Sequence, residues 1–299
     1  MASSVPVAEQ SEKQSAALSS LLAAIGLTAF KFIVGLMTGS LGILAEGAHS
    51  ALDLIAALMT FFAVRISSKP PDRTHLYGHG KVENISALFE TLLLVATCAW
   101  IVWEAVRRLS QHRVDVEVTV WSFVVMLTSI VVDLSRSRVL ERTAKKYHSQ
   151  ALEADALHFR TDIWSSSVVI LGLIAVKVGD WFPALTFLRE GDAVAALGVS
   201  AVVVWICIQL GQRTIDALVD KAPAGLEQRI AAVVEAVPGV RDCHQVRVRY
   251  SGPVLFVDLH VLVDGGQTLT EAHDLTENIE EAIHGMAPGA DITVHPEPV

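Results

Sequence analysis

The feature that most constrains this chain is a set of long, nearly uncharged apolar runs. Six are readable, at roughly 16–37, 41–64, 82–106, 117–135, 152–177 and 191–211. Each is close to or above the ~20 residues a helix needs to cross about 30 Å of hydrocarbon. Inside a bilayer only helices and closed barrels satisfy their own backbone polar groups, and runs of this length read as helices. Composition agrees, because 52% of the 299 residues are hydrophobic and 18% are charged. Soluble domains sit nearer 45–50% apolar and about 25% charged. The expected class is a polytopic α-helical membrane protein with six transmembrane helices.

The connections differ in character. "MTGSLG" between the first two spans is short enough only for a helical hairpin. "RISSKPPDRTHLYGHGK" between the second and third is polar, stops a helix at Pro70 and Pro71, and brackets His79 with Gly78 and Gly80. "SRSRVLERTAKKYHS", expected as the loop between the fourth and fifth spans, carries Arg136, Arg138, Arg142, Lys145 and Lys146. The opposite side carries Arg107, Arg108, Arg113, Lys177 and Arg189. The positive-inside rule then puts the second–third and fourth–fifth connections, and both termini, in the cytoplasm, and the short, untargeted start makes a cell (inner) membrane the expected one. The polar start, "MASSVPVAEQSEKQSAALSS", lacks a basic segment before a short apolar core. It is expected as a flexible tail over 1–15, not a signal peptide.

The domain plan is a tail over 1–15, a six-helix membrane domain over 16–215 and an α+β domain over 216–299. In the last of these, "GLEQRIAAVVEAVPGV" has helical periodicity. "RDCHQVRVRY" and "PVLFVDLHVLVD" alternate as half-buried strands around an "SG" turn. "TLTEAHDLTENIEEAIHGM" is helical with Thr268 or Thr270 as its cap, and "ADITVHPEPV" is a final strand. The order is α-β-β-α-β. About 80 residues is small for a free-standing domain, so support from a partner subunit, bound metal or both is expected. Much of the acid behind the net charge of −9 lies in this region, and no basic patch interleaved with aromatics marks a nucleic-acid partner. Cys98, Cys207 and Cys243 have no spacing of a disulfide framework or a C-x-x-C site.

Inside two of the apolar runs sit two identical spacings. "LAEGAHSALDLIAALM" places His49 four residues before Asp53, and "ALEADALHFRTDIWSSSVVILGL" places His158 four residues before Asp162. Residues i and i+4 share a helix face. An aspartate at the centre of a span costs roughly 2.5–3.5 kcal/mol on insertion scales, so two of them demand a reason. One reason is interhelical hydrogen bonding. Another is a cation site, in which two imidazoles and two carboxylates form a four-ligand set of the kind Zn²⁺ takes. With no thiolate on offer the set is borderline to hard.

With these residues in view the chain resembles the cation diffusion facilitators. These are divalent-metal/proton antiporters that include bacterial zinc and ferrous-iron efflux proteins and the eukaryotic zinc transporters. The resemblance rests on "GSLGILAEGAHSALDL", "YGHGKVE", "ALEADALHFRTD" and the α-β-β-α-β tail, and covers nearly the whole chain beyond its first residues. It implies a transport site of His49, Asp53, His158 and Asp162. Many bacterial members have Asp at the place of His49, and the His form is similar to that of the eukaryotic zinc transporters. It implies a second, loop site at Asp72, His75 and His79. A third, in a metallochaperone-like cytoplasmic domain, falls on His244, His260, His273 and His295 with Glu297, which stands where the family has Asp. The resemblance also implies a homodimer, with an inter-subunit charge interlock of Lys81 with Asp220. The function it implies is efflux of a divalent cation, Zn²⁺ foremost, as transported and regulatory ion, by alternating access against protons, with no catalytic residue and no organic cofactor. The alternatives are Fe²⁺, Cd²⁺ or Co²⁺ as main cargo, or a membrane-anchored metal sensor or buffer. An intramembrane metalloenzyme is disfavoured, since no H-E-x-x-H pair is present and the four-ligand set leaves no open position for water.

Overall fold

The computed structural model describes residues 7–111, 120–181 and 191–299. Its described residues begin with six long helices: α1 (Val7–Thr38), α2 (Leu41–Ser67), α3 (Lys81–Gln111), α4 (Val120–Tyr147), α5 (Gln150–Trp181) and α6 (Gly191–Leu218). α7 (Leu226–Glu235), β1 (Asp242–Ser251), β2 (Val254–Val263), α8 (Leu269–Met286) and β3 (Asp291–Pro298) follow. By length and composition, four of the described helices (α1, α2, α3 and α6) are apolar enough to cross a membrane. α4 is more polar because it carries buried polar residues inward, Ser129, Asp133, Arg136 and Ser137, and α5 adds the buried Asp155 and His158. Outward, the bundle presents large apolar side chains such as Leu22, Ile33, Leu52, Phe62, Leu92, Trp100, Leu127 and Trp205. A polar seam inside and an apolar surface outside is the arrangement hydrocarbon selects.

Two boundaries differ from the sequence expectation. α1 starts at Val7, so much of the stretch read as a flexible tail is helix. It is held there by a buried ion pair, Lys13 Nζ to Glu83 Oε1 at 2.5 Å, and by Glu12, which accepts from Lys146 Nζ at 2.6 Å and from the Tyr147 hydroxyl. The stretch read as the fourth–fifth loop is the end of α4, and α5 begins three residues after Tyr147. Arg136 is the reason. It is 6% exposed, donates to Ser20 Oγ at 3.2 Å and to Asp133 Oδ1 at 3.2 Å, and lies over the Phe159 ring. His148, left-handed at φ 50°, makes the turn. Arg113 and Arg189 of the charge comparison lie outside the described residues.

The C-terminal domain follows the expected α-β-β-α-β order. β1 pairs antiparallel with β2 and β2 parallel with β3. Ile230 and Val234 of α7 and Leu275, Ile279 and Ile283 of α8 share one core with Val257, Leu259 and Val261. Strand alternation leaves the other face of the sheet to polar side chains. Thr268 caps α8 in a reciprocal capping box with Glu271.

The two domains meet where the start of α3 touches the β1–β2 turn. Lys81 Nζ pairs with Asp220 Oδ1 at 2.9 Å and donates to the Leu218 carbonyl at 3.2 Å. The two residues of the implied inter-subunit interlock thus pair with each other within one chain. Asp220 is left-handed at φ 59°, which turns its carboxylate back from the end of α6 toward α3. At the same joint Gly80 and Gly252 abut backbone to backbone. A Cβ on Gly80 would lie 2.2 Å from the Ser251 carbonyl oxygen, and one on Gly252 would lie 2.5 Å from that of Gly80.

Candidate metal centres

The four intramembrane residues converge. His49 and Asp53 share a face of α2, and His158 and Asp162 share a face of α5. His158 Nε2 lies 3.0 Å from Asp53 Oδ1 and 3.5 Å from Asp162 Oδ2. His49 Nε2 lies 3.9 Å from Asp53 Oδ1 and 3.8 Å from Asp162 Oδ1. Ligand atoms of His49, Asp53 and Asp162 fall within 4.8 Å of one another. Asp53 and His158 are buried at 8% and 4% exposure, while the His49 side chain is 39% exposed and opens the cluster to one side. His158 Nδ1 and Asp162 Oδ2 have no hydrogen-bond partner among the described residues. Buried polar atoms are nearly always satisfied, so the Asp162 orphan points to an absent ligand, while His158 faces the cluster through Nε2. The donor set, two imidazoles and two carboxylates with no thiolate, suits a divalent ion of intermediate softness.

Asp72, His75 and His79 also come together, in the connection between α2 and α3. Asp72 Oδ1 is 3.3 Å from His75 Nδ1, and Asp72 Oδ2 is 3.3 Å from His79 Nε2. Asp72 accepts from the His75 and Thr74 backbone N–H groups at 2.7 and 2.8 Å. Those bonds, the His75 amide first and the Thr74 hydroxyl next, hold its carboxyl well below the usual aspartate range. An acid kept ionised beside two imidazoles is competent to bind a cation.

In the C-terminal domain the sheet register lines up three histidines. His244 pairs across from His260, and His260 from His295, so one row crosses all three strands. Glu297 closes the row, 2.8 Å from His260 Nδ1, 3.2 Å from His244 Nε2 and 3.9 Å from His295 Nε2. The His260 hydrogen bond and the neighbouring imidazoles hold the Glu297 carboxyl below its ordinary range. A β-bulge after His244, with Gln245 at φ 50°, shifts the register so that His244 and Arg247 share this face. His273 does not join. It stands exposed on α8 beside Glu277, at 3.6 Å. α8 packs on the opposite face of the sheet, which separates the residue from the row. Cys243 likewise points into the core, where burial pushes its thiol up to about 11.

The sequence reading missed a set of buried charges near these centres. Lys13, Glu83, Glu90 and Asp155 are all at most 2% exposed. The available signal was a carboxylate inside an apolar run, as in "SALFETLLL", where no fixed spacing marked a partner.

Residues 17–219 match the cation efflux transmembrane domain, and residues 222–299 match the cytoplasmic domain of cation efflux proteins. The cation-efflux pump FieF of Pectobacterium atrosepticum is 30% identical over 95% of this chain and 92% of its own length. FieF of Cronobacter sakazakii is 31% identical over the same shares. Among solved structures, a MamM-CTD chain aligns over 24% of this chain and 92% of its own length, with 32% identity and a TM-score of 0.23. With its membrane domain matched from α1 to the end of α6 and its C-terminal domain matched in full, this chain belongs to the cation diffusion facilitator family of cation efflux transporters, integral membrane proteins that are not enzymes.

Proposed function

We propose that the chain exports Zn²⁺ from the cytoplasm in exchange for protons, with His49, Asp53, His158 and Asp162 as the transport ligands. One observation carries the reading. Four ligand-type side chains from α2 and α5 meet inside the bundle at N–O distances of 3.0–3.9 Å, with Asp162 Oδ2 unpartnered among the described residues. An imidazole must be neutral to bind metal, and its unperturbed pKa of ~6.5 makes protons and metal compete for it. That competition is the physical basis of exchange. α2 and α5 each hold half of the set, so alternating access requires their surroundings to open on one side at a time. With His49 in the set, the site has fewer hard oxygens than one with three carboxylates, which favours Zn²⁺ over harder ions. Asp72, His75 and His79 form a loop site, and His244, His260, His295 and Glu297 form a site in the C-terminal domain. Metal there regulates transport in a homodimer with cytoplasmic termini. His273 has no part in that site within one chain.

The test is zinc flux into proteoliposomes under an imposed pH gradient, wild type beside Asp53→Ala. Zinc moving only against protons, with the variant inactive, is the expected result. Tight zinc binding with no movement under any gradient would instead make the protein a membrane-anchored sensor. Repeating the assay with Fe²⁺, Cd²⁺ and Co²⁺ ranks the cargo.

A further inference from the structure

One helical turn before His158, on the side of the bundle that carries the C-terminal domain, lies a second group of buried acids. Asp155 of α5 and Glu90 of α3 are both 0% exposed. Glu90 Oε1 accepts from the Thr60 hydroxyl of α2, and Asp155 Oδ2 accepts from the Ser20 hydroxyl of α1 at 3.3 Å. Each acid keeps one buried oxygen, Glu90 Oε2 and Asp155 Oδ1, without a hydrogen-bond partner among the described residues. Ala87 of α3 packs with Ala154 of α5, which brings together the stretches of the two helices that carry these acids. The acids act electrostatically on each other and on His158, and Asp53 of α2 also acts on Asp155. From α4, Arg136 acts on Asp155 but is also shared with Asp133 and Ser20. α6 meets this stretch of α3 through Leu210 and Gly211, which bring no charge. Two carboxylates with one shared guanidinium, out of water, do not both ionise cheaply, and a proton on either one relieves the repulsion.

A divalent ion at the neighbouring cluster changes that balance. Its charge lowers the cost of the second carboxylate, so cation and proton oppose each other even though they bind different residues. By linkage the proton weakens the cation by the same factor. We propose that the Glu90–Asp155 pair is a proton-binding site of this exchanger, separate from the metal ligands, that gives up its proton when a divalent cation occupies the His49–Asp53–His158–Asp162 cluster. The step breaks one carboxyl O–H bond, leaves the electron pair on oxygen and passes the proton to water. The inference rests on the exchange reading, and adds a titrating site beyond the two histidines.

The experiment uses purified full-length protein in detergent, with Asp72→Ala and His260→Ala to silence the other two sites. Protons released per zinc bound are counted by calorimetry in buffers of different ionisation enthalpy. In Glu90→Gln, whose amide oxygen still accepts from Thr60, the count is expected to fall by up to about one proton while zinc still binds. An unchanged count overturns the inference and leaves the exchange reading intact. No proton release even before Glu90 is changed removes the exchange reading itself, and this inference with it. Infrared difference spectroscopy of the wild type gives a readout independent of any variant's folding. A protonated-carboxyl C=O stretch lost on adding zinc, and absent in Glu90→Gln or Asp155→Asn, supports the pair. A wild type showing no such band sinks it.

Discussion

At the scale of single residues, what matters is how each acid is held. Asp72 illustrates this. Its carboxylate collects N–H bonds from Thr74 and His75, and its pKa is depressed from the ordinary 3.8. A depressed folded-state value means the stabilisation is present above the unfolded value and is lost only as pH falls through the lower, folded one. The Thr74 and His75 amides should therefore keep their protection from hydrogen exchange from neutral pH down through 3.8. Asp72→Asn should weaken that protection at every pH, and protection that collapses above 3.8 in the wild type would contradict the account. The spacing of His49 with Asp53 and of His158 with Asp162 was legible in the sequence, because i,i+4 identity survives any tertiary arrangement. Nothing local reported that Asp53 would approach His158 more closely than its own helix neighbour His49, at 3.0 Å against 3.9 Å.

At the scale of elements, the helices are tied together by polar contacts that hydropathy hides. Glu83 of α3 accepts from Lys13 of α1, from the Ser67 hydroxyl of α2 at 2.8 Å, and from the Ser149 hydroxyl just before α5. The side chains of Lys13 and Glu83 are 3% and 0% exposed, so neither charge has water as an alternative. Removing one partner of a buried pair strands the other, at a cost of about 3–5 kcal/mol. Glu83→Gln should lower the thermal unfolding midpoint of the detergent-solubilised protein by several degrees. A restored midpoint in the double variant Lys13→Met with Glu83→Gln would attribute the loss to the stranded lysine. The same contact explains why α1 begins before the expected start of its span. A polar first turn looks like a tail until its lysine is seen inside the bundle. α8 shows the converse case, since its capping box is local in sequence and the cap is Thr268, one of the two candidates, Thr268 and Thr270, read from the sequence.

At the scale of the whole molecule, the membrane and C-terminal domains share one joint. Arg249 of β1 lies over the rings of Tyr77 and Phe256 and stands 3.6 Å from Asp220, which also pairs with Lys81. Asn84 accepts from the Gly252 N–H at 3.2 Å and donates to Gln150 at 2.8 Å. Gly252, left-handed at φ 58° and abutting Gly80, has no room for a side chain. Gly252→Ala should open the joint at a cost of about 1–3 kcal/mol, the usual range for overpacking. Trypsin cleavage at exposed Lys221, in the linker after α6, should then accelerate by about fivefold or more. An unchanged rate would show that the joint does not need this contact.

The residue order by itself determined the membrane class, the six helices, the α-β-β-α-β tail and the paired spacings of His49 with Asp53 and of His158 with Asp162, whereas the loop and C-terminal ligand sets were implied by the family resemblance. The former rest on run length, periodicity or i,i+4 spacing, all local quantities. Only the tertiary structure decided which ligands meet. Within one chain it set His273 apart from the C-terminal row, because α8 covers the other face of the sheet. It closed the Lys81–Asp220 pair within one chain, because the backbone turns at Asp220. It brought Glu90 and Asp155, 65 positions apart, into electrostatic reach of each other, because α3 and α5 pack together at Ala87 and Ala154. Electrostatic coupling falls with distance in space, not along the chain, and that distance is set by helix packing.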